Sequence, residues 1–236
     1  MLIIRGIMLC AVVLTPIYPA IASPVPFADE IRLFAVEDEI YPPTGCETLF
    51  VGSSSFRFWS HLQQDFPKRR ILKRGFGGAS ISDINLHFNN VVGRYRPREI
   101  IFYAGENDVN SGTPVATVLQ DFNRFLDLKT ALLGATPVYF VSAKPSIARK
   151  ADFPEQTLLN ASISGLASER DDLVFVDIVQ TMLDKGQPRS ELFISDGLHM
   201  NGKGYSIWVK KIGQALSGKN QRKAEYCRTA AKRTTP

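Results

Sequence analysis

The stretch Ile100-Ile101-Phe102-Tyr103-Ala104-Gly105-Glu106-Asn107-Asp108 decides the fold. Its first four residues are β-branched or aromatic with nothing polar between them, the composition of a strand covered on both faces. Polar residues and a glycine follow almost at once. The same order recurs along the chain. Leu49-Phe50-Val51 runs into Gly52-Ser53-Ser54-Ser55, and Val138-Tyr139-Phe140-Val141 runs into Ser142-Ala143-Lys144-Pro145-Ser146. A weaker run, Ile71-Leu72, precedes Gly75-Phe76-Gly77-Gly78, and Val174-Phe175-Val176 precedes Asp196-Gly197-Leu198-His199.

Helical spacing fills the gaps between these runs. Ser80 can cap a helix that turns Ile81, Ile84, Phe88, Val91 and Val92 to one side. Thr113-Pro114 can open another, with Val115, Val118, Leu119, Phe122, Phe125 and Leu126 on a stripe. Asn201 can cap a third, carrying Tyr205, Trp208, Val209, Ile212 and Leu216, with Gly218 as its stop. Strands alternating with helices give an α/β fold of three layers, α/β/α, around a flavodoxin-like five-stranded parallel sheet. Crossovers are right-handed, and ligands bind outside the carboxyl ends of the strands. Phe27 to Glu39, with Ile31 and Phe34 at helical spacing, reads as an added helix that ends before Pro42-Pro43.

Charge and composition bound the possibilities. Of 236 residues, 44% are hydrophobic and 22% charged, which excludes a disordered chain and suits one domain. The net charge of +5 is local: residues 217–236 hold six cations and one anion, and Arg5 adds one more, so everything between is close to neutral. A basic tail at 218–236 reads as a solvated terminus, and apart from it nothing speaks for nucleic-acid binding.

Residues 1–22 read as a signal peptide. Arg5 is the positive start, Ile7 to Leu14 the apolar run, and Ala20-Ile21-Ala22 the small-residue cleavage site. The run is far shorter than the about 20 apolar residues of a spanning helix, so no stable membrane insertion is expected after cleavage. The expected division is a helical extension over 23–45, a folded domain over 46–217 and the tail, in a periplasmic or secreted protein. Cleavage removes Cys10 and leaves Cys46, just before the first strand, and Cys227, beyond the last helix. Those two positions fall at the same edge of a parallel sheet. A disulfide there and two free thiols are both open readings. With three histidines in all and no Cys/His cluster at ligand spacing, no metal site is expected, and no organic cofactor is implied.

The segments after the strands carry groups that act together in acyl transfer. A serine hydroxyl needs a base within hydrogen-bond reach, and imidazole oriented by a carboxylate is the usual one. Asp196 and His199, three apart across a glycine-containing turn, can share one side of it. A developing oxyanion needs donors: Gly78 N–H, the side-chain amide of Asn107 and Ser54 N–H are the candidates. Asp108 reads as a turn-orienting residue. Lys144 and Arg57 are candidate substrate contacts, Phe58 a pocket residue, and Trp59 a core residue or a pocket wall. His61 and His87 fall inside predicted helices as structural or surface residues.

These blocks resemble the SGNH, or GDSL-type, hydrolase superfamily over roughly Cys46 to Leu216. Gly52-Ser53-Ser54 matches its Gly-Asp-Ser block, which places the family nucleophile on Ser54; Ser53 stands where the family has Asp. The oxyanion glycine falls on Gly78 and the oxyanion asparagine on Asn107 within Gly105-Glu106-Asn107-Asp108. Asp196 and His199 match the Asp-x-x-His block. The resemblance implies a serine esterase hydrolysing a carboxylic ester, on a small-molecule or carbohydrate substrate, through an acyl-enzyme. The lack of a long apolar insertion favours short acyl groups. An O-acetyl transferase acting on envelope carbohydrate and a non-catalytic envelope binding protein are the competing expectations. Nothing in the sequence assigns an oligomeric state.

Overall fold

Strand residues that alternate between two apolar faces fix the layers of this molecule. The computed structural model describes residues 25–217 and Cys227. In chain order the elements are α1 (Ala28–Ile40), β1 (Thr48–Gly52), α2 (Ser54–Arg57), α3 (Leu62–Asp65), β2 (Ile71–Gly75), α4 (Ile81–Leu86), α5 (Phe88–Val91), β3 (Glu99–Tyr103), α6 (Glu106–Asn110), α7 (Val115–Leu133), β4 (Val138–Val141), α8 (Phe153–Glu169), β5 (Leu173–Val176) and α9 (Gly202–Ser217). A short hairpin pairs Leu183–Asp184 with Gln187–Pro188. The main sheet is parallel, in the order β2-β1-β3-β4-β5. This is the flavodoxin-like order, whose switch point lies between β1 and β3.

Leu49, Val51, Ile100, Phe102, Val138, Phe140 and Leu173 face one core, with α4, α5, α7 and α8 supplying its cover. Phe50, Ile101, Tyr103, Tyr139, Val141 and Val176 face the other, under Trp59 and the Tyr205, Trp208, Ile212 and Leu216 stripe of α9. Burial on both faces is why these strands read as continuous apolar runs.

Asn201 caps α9 by accepting from Lys203 N–H (2.9 Å) and Gly204 N–H (3.3 Å) through Oδ1. Ser80 caps α4 in a reciprocal capping box with Asp83. The single helix expected over residues 81–92 is two, because the backbone leaves helical geometry at His87. That histidine is buried, its Nε2 lying 2.6 Å from the Pro26 carbonyl oxygen, and the break still delivers Phe88, Val91 and Val92 to the core. His61 lies just before α3 rather than inside a helix and is exposed.

The long helix α8 has no counterpart among the expected elements. Its inward positions are Gln156, Leu159, Asn160 and Ile163, so polar residues interrupt the stripe that would have marked it. Asn160 earns its buried place by gripping the Ala143 backbone: Oδ1 accepts from its N–H at 2.8 Å and Nδ2 donates to its carbonyl at 3.0 Å.

Cys46 and Cys227 form a disulfide with Cα atoms 5.7 Å apart, tying Cys227 to the amino end of β1. The leader, and the tail apart from Cys227, lie outside the described residues. No helix among the described residues is long and apolar enough to cross a membrane.

Candidate active site

Gly52 ends β1 where only glycine fits: a Cβ there would lie 1.9 Å from the Tyr103 carbonyl oxygen of β3. That close approach lets Ser53 N–H donate to the same carbonyl (3.0 Å) and starts α2 directly at the sheet edge. Ser54 is the first residue of α2, partly exposed, with its N–H in the turn where a helix has no acceptor of its own.

Ser54 Oγ lies 2.9 Å from His199 Nε2, and His199 Nδ1 lies 2.6 Å from Asp196 Oδ2. The other Asp196 oxygen accepts from the N–H groups of Leu198 (2.8 Å) and His199 (2.9 Å). Burial pushes the Asp196 carboxyl upward, but these bonds, led by the one from the imidazole, outweigh it and hold the group at about 2. An ionised carboxylate only accepts, so Nδ1 carries the proton and Nε2 faces the Ser54 hydroxyl as an acceptor. The turn itself is braced: Ile147 and Ala148 N–H both donate to the Gly197 carbonyl (3.0 and 3.1 Å). The Phe58 ring packs edge-on against His199, centroids 4.7 Å apart.

Gly78 adopts φ +78°, the left-handed region that favours glycine, and is exposed at the end of the loop after β2. Asn107, in α6, donates from Nδ2 to the Ala79 carbonyl (2.9 Å), which brings its amide beside the Gly78 loop. Asp108 Oδ1 accepts from Ile81 N–H (3.0 Å) and so joins the same loop to the start of α4. Burial pushes the Asp108 carboxyl up to about 6, against the pull of the Ile81 N–H.

The structure thus gathers Ser54, Gly78, Asn107, Asp196 and His199 outside the carboxyl ends of β1, β2 and β3, at the switch point. Arg57 stands at the rim, half exposed, with Nη1 on Glu30 Oε1 (2.7 Å). Lys144 departs from expectation. Its ammonium is buried, 2.7 and 3.0 Å from the two carboxylate oxygens of Glu106. Glu106 also takes the Tyr103 hydroxyl and Arg149 Nη1 (3.2 Å). Burial pushes its carboxyl upward, but Lys144 and Arg149 together hold it below the ordinary glutamate value.

Two residues close to this site carry no motif. Glu30 of α1 accepts from Gly77 N–H (3.0 Å), next to Gly78, and Phe58 flanks the histidine. The acidic first turn of α1 and the aromatic in Phe56-Arg57-Phe58-Trp59 were visible, but their partners were not. Among the described residues, no group of three or more His, Cys, Asp and Glu side chains could hold a metal ion.

The chain belongs to the GDSL-like Lipase/Acylhydrolase family, whose model matches residues 44–207, and is an ester-hydrolysing enzyme. No curated protein matches it. Solved structures share the fold at low identity. A Streptococcus pneumonia protein, provisionally described as a platelet activating factor, is 21% identical with a TM-score of 0.71, over 80% of this chain and 92% of its own. A GDSL-like lipase from Bacteroides thetaiotaomicron VPI-5482 is 22% identical with a TM-score of 0.68, over 79% and 96%. A carbohydrate esterase of family 3 from Talaromyces cellulolyticus is 17% identical with a TM-score of 0.60, over 72% and 96%.

Proposed function

We propose that the protein is an exported serine esterase that hydrolyses short-chain carboxylic esters through an acyl-enzyme on Ser54. The observation that carries this reading is the continuous chain Ser54 Oγ–His199 Nε2 (2.9 Å) and His199 Nδ1–Asp196 Oδ2 (2.6 Å). In the first half-reaction Ser54 Oγ attacks the ester carbonyl as Nε2 takes its proton, and the imidazolium is held by Asp196. The oxyanion is received by Ser54 N–H, Gly78 N–H and the Asn107 amide. His199 then gives its proton to the departing alkoxide. In the second half-reaction the imidazole deprotonates water, which attacks the acyl carbonyl; the C–Oγ bond breaks as the imidazolium returns the proton to Ser54 Oγ, releasing the acid and the free enzyme.

Exposed Phe58, Ile147 and Ile194 make the surroundings of the imidazole partly apolar. Likeness in fold to carbohydrate esterases makes acetylated carbohydrate a reasonable substrate class. The Cys46–Cys227 bond is in keeping with an oxidising compartment, and so with the leader read over residues 1–22.

Chromogenic esters of rising acyl length, given to the protein and to Ser54→Ala, test the reading. The expected result is turnover that falls with chain length and disappears in Ser54→Ala. Equal background rates for both proteins on every ester would remove it.

A further inference from the structure

We propose that Arg149 is a positioning residue that sets the Asn107 amide for the oxyanion; this rests on the esterase reading above. Arg149 reaches from the segment after β4 to two adjacent residues of α6. Its Nη2 donates to Asn107 Oδ1 at 2.9 Å, and its Nη1 lies 3.2 Å from Glu106 Oε1. Glu106 is itself buried and bonded on both oxygens, against the Lys144 ammonium and the Tyr103 hydroxyl. A fixed carboxylate therefore holds the guanidinium, and the guanidinium holds the amide.

The consequence follows from the planarity of a primary amide. A guanidinium has only donors, and the Ala79 carbonyl can only accept, so Oδ1 must face Arg149 and Nδ2 must face Ala79. With the oxygen and one N–H fixed, the direction of the second N–H is determined, and that is the hydrogen left for an oxyanion. Released from Arg149, the amide keeps only the Ala79 bond, and its plane, and with it the direction of the second N–H, is no longer fixed. The guanidinium also draws electron density through the amide and sharpens its N–H as a donor. Behind Asn107 the cations Lys144 and Arg149 share the Glu106 carboxylate, and the Asp196 carboxylate also acts on Lys144.

The same segment steadies the other half of the apparatus, since Ile147 and Ala148 N–H hold the Gly197 carbonyl between Asp196 and His199. One short stretch of chain, 147–149, thereby registers the acid–base turn against the oxyanion donor.

The test is a double-mutant cycle on the full chain: wild type, Arg149→Gln, Asn107→Ala and both together, with Arg149→Lys as the conservative variant. Rates are read well below each protein's melting temperature. The expected loss in kcat is roughly 10- to 100-fold for Arg149→Gln, with KM within about twofold, and about 100-fold for Asn107→Ala. The double variant should be no slower than Asn107→Ala alone, because without the amide Arg149 has nothing to orient. Arg149→Lys, which keeps a donor but not the fork, should fall between Arg149→Gln and wild type. Wild-type kcat in Arg149→Gln, or losses that multiply in the double variant as a merely structural arginine would give, overturns the proposal alone. A wild type with no Ser54-dependent turnover removes the esterase reading and this proposal together.

Discussion

Asp196 and His199 show how little chain is needed to orient an imidazole with a carboxylate. Three residues of separation and a glycine with φ +65° let one carboxylate accept from two backbone N–H groups and the imidazole at once. Asp196→Asn should keep the turn but offer Nδ1 an amide in place of a carboxylate. The proton can then sit on Nε2, where it cannot receive another from Ser54. A fall in kcat of roughly 100- to 10,000-fold is expected, with the melting temperature little changed. Asp108 makes the opposite case, a carboxyl destabilised by its surroundings, with Oδ2 buried and without a hydrogen-bond partner. Its value rises from 3.8 to about 6, so its contribution to stability is complete below about 4 and is lost as pH rises through about 6. The span is on the order of 3 kcal/mol. Denaturant midpoints measured from pH 4 to pH 7 should show this decline in the wild type, and Asp108→Asn should flatten it.

The motif residues are legible because each stands in a short block that reads on its own, although Ser54 and His199 meet across 145 residues. Lys144 belongs to no such block: its partner Glu106 is 38 residues away, and only the fold shows that they meet. Arg149 lies in a segment without pattern and could be found only through Asn107, 42 residues earlier.

At the scale of elements, β1 to β5, α7 and α9 announce themselves through apolar runs or stripes. The helix α8 does not, because Gln156 and Asn160 occupy two of its four buried positions. The added helix α1 was visible as spacing, but its docking was not. It packs Ile31 into the core and presents Glu37 and Asp38 to Arg74, which is almost wholly buried. Arg74 is otherwise satisfied by the Tyr95 hydroxyl (2.9 Å) and the Lys73 carbonyl (2.8 Å) and lies over the Phe34 and Tyr95 rings. Asp38→Ala leaves a buried guanidinium short of its main counter-charge, and a loss on the order of 3 kcal/mol is expected in denaturant unfolding. A change below about 0.5 kcal/mol would show that α1 is held by its apolar contacts alone.

At the scale of the molecule, the sheet order places the carboxyl ends of β1 and β3 side by side at the switch point, where three segments distant in sequence meet. The disulfide sits at the other end, joining residues 181 apart. Closing so long a loop in the unfolded chain corresponds to roughly 5 kcal/mol in the chain-entropy account, with measured values commonly about 2–4. Reduction should therefore lower the melting temperature while leaving the rate in the native range unchanged, because Cys46 is at the amino end of β1 and the site at the carboxyl end. A loss of kcat on reduction at temperatures where the protein stays folded would contradict that separation of roles.

The central claim is that the Ser54 hydroxyl is the nucleophile, and trapping it is the most direct measurement. Incubation with a chromogenic phosphate triester, followed by intact-mass measurement and peptide fragmentation, should show one phosphoryl adduct on Ser54. Loss of esterase activity should keep pace with its formation, and neither Ser53 nor Ser55 should be modified. An adduct on another residue, or full ester hydrolysis by a protein whose Ser54 has been modified to completion, would contradict the account.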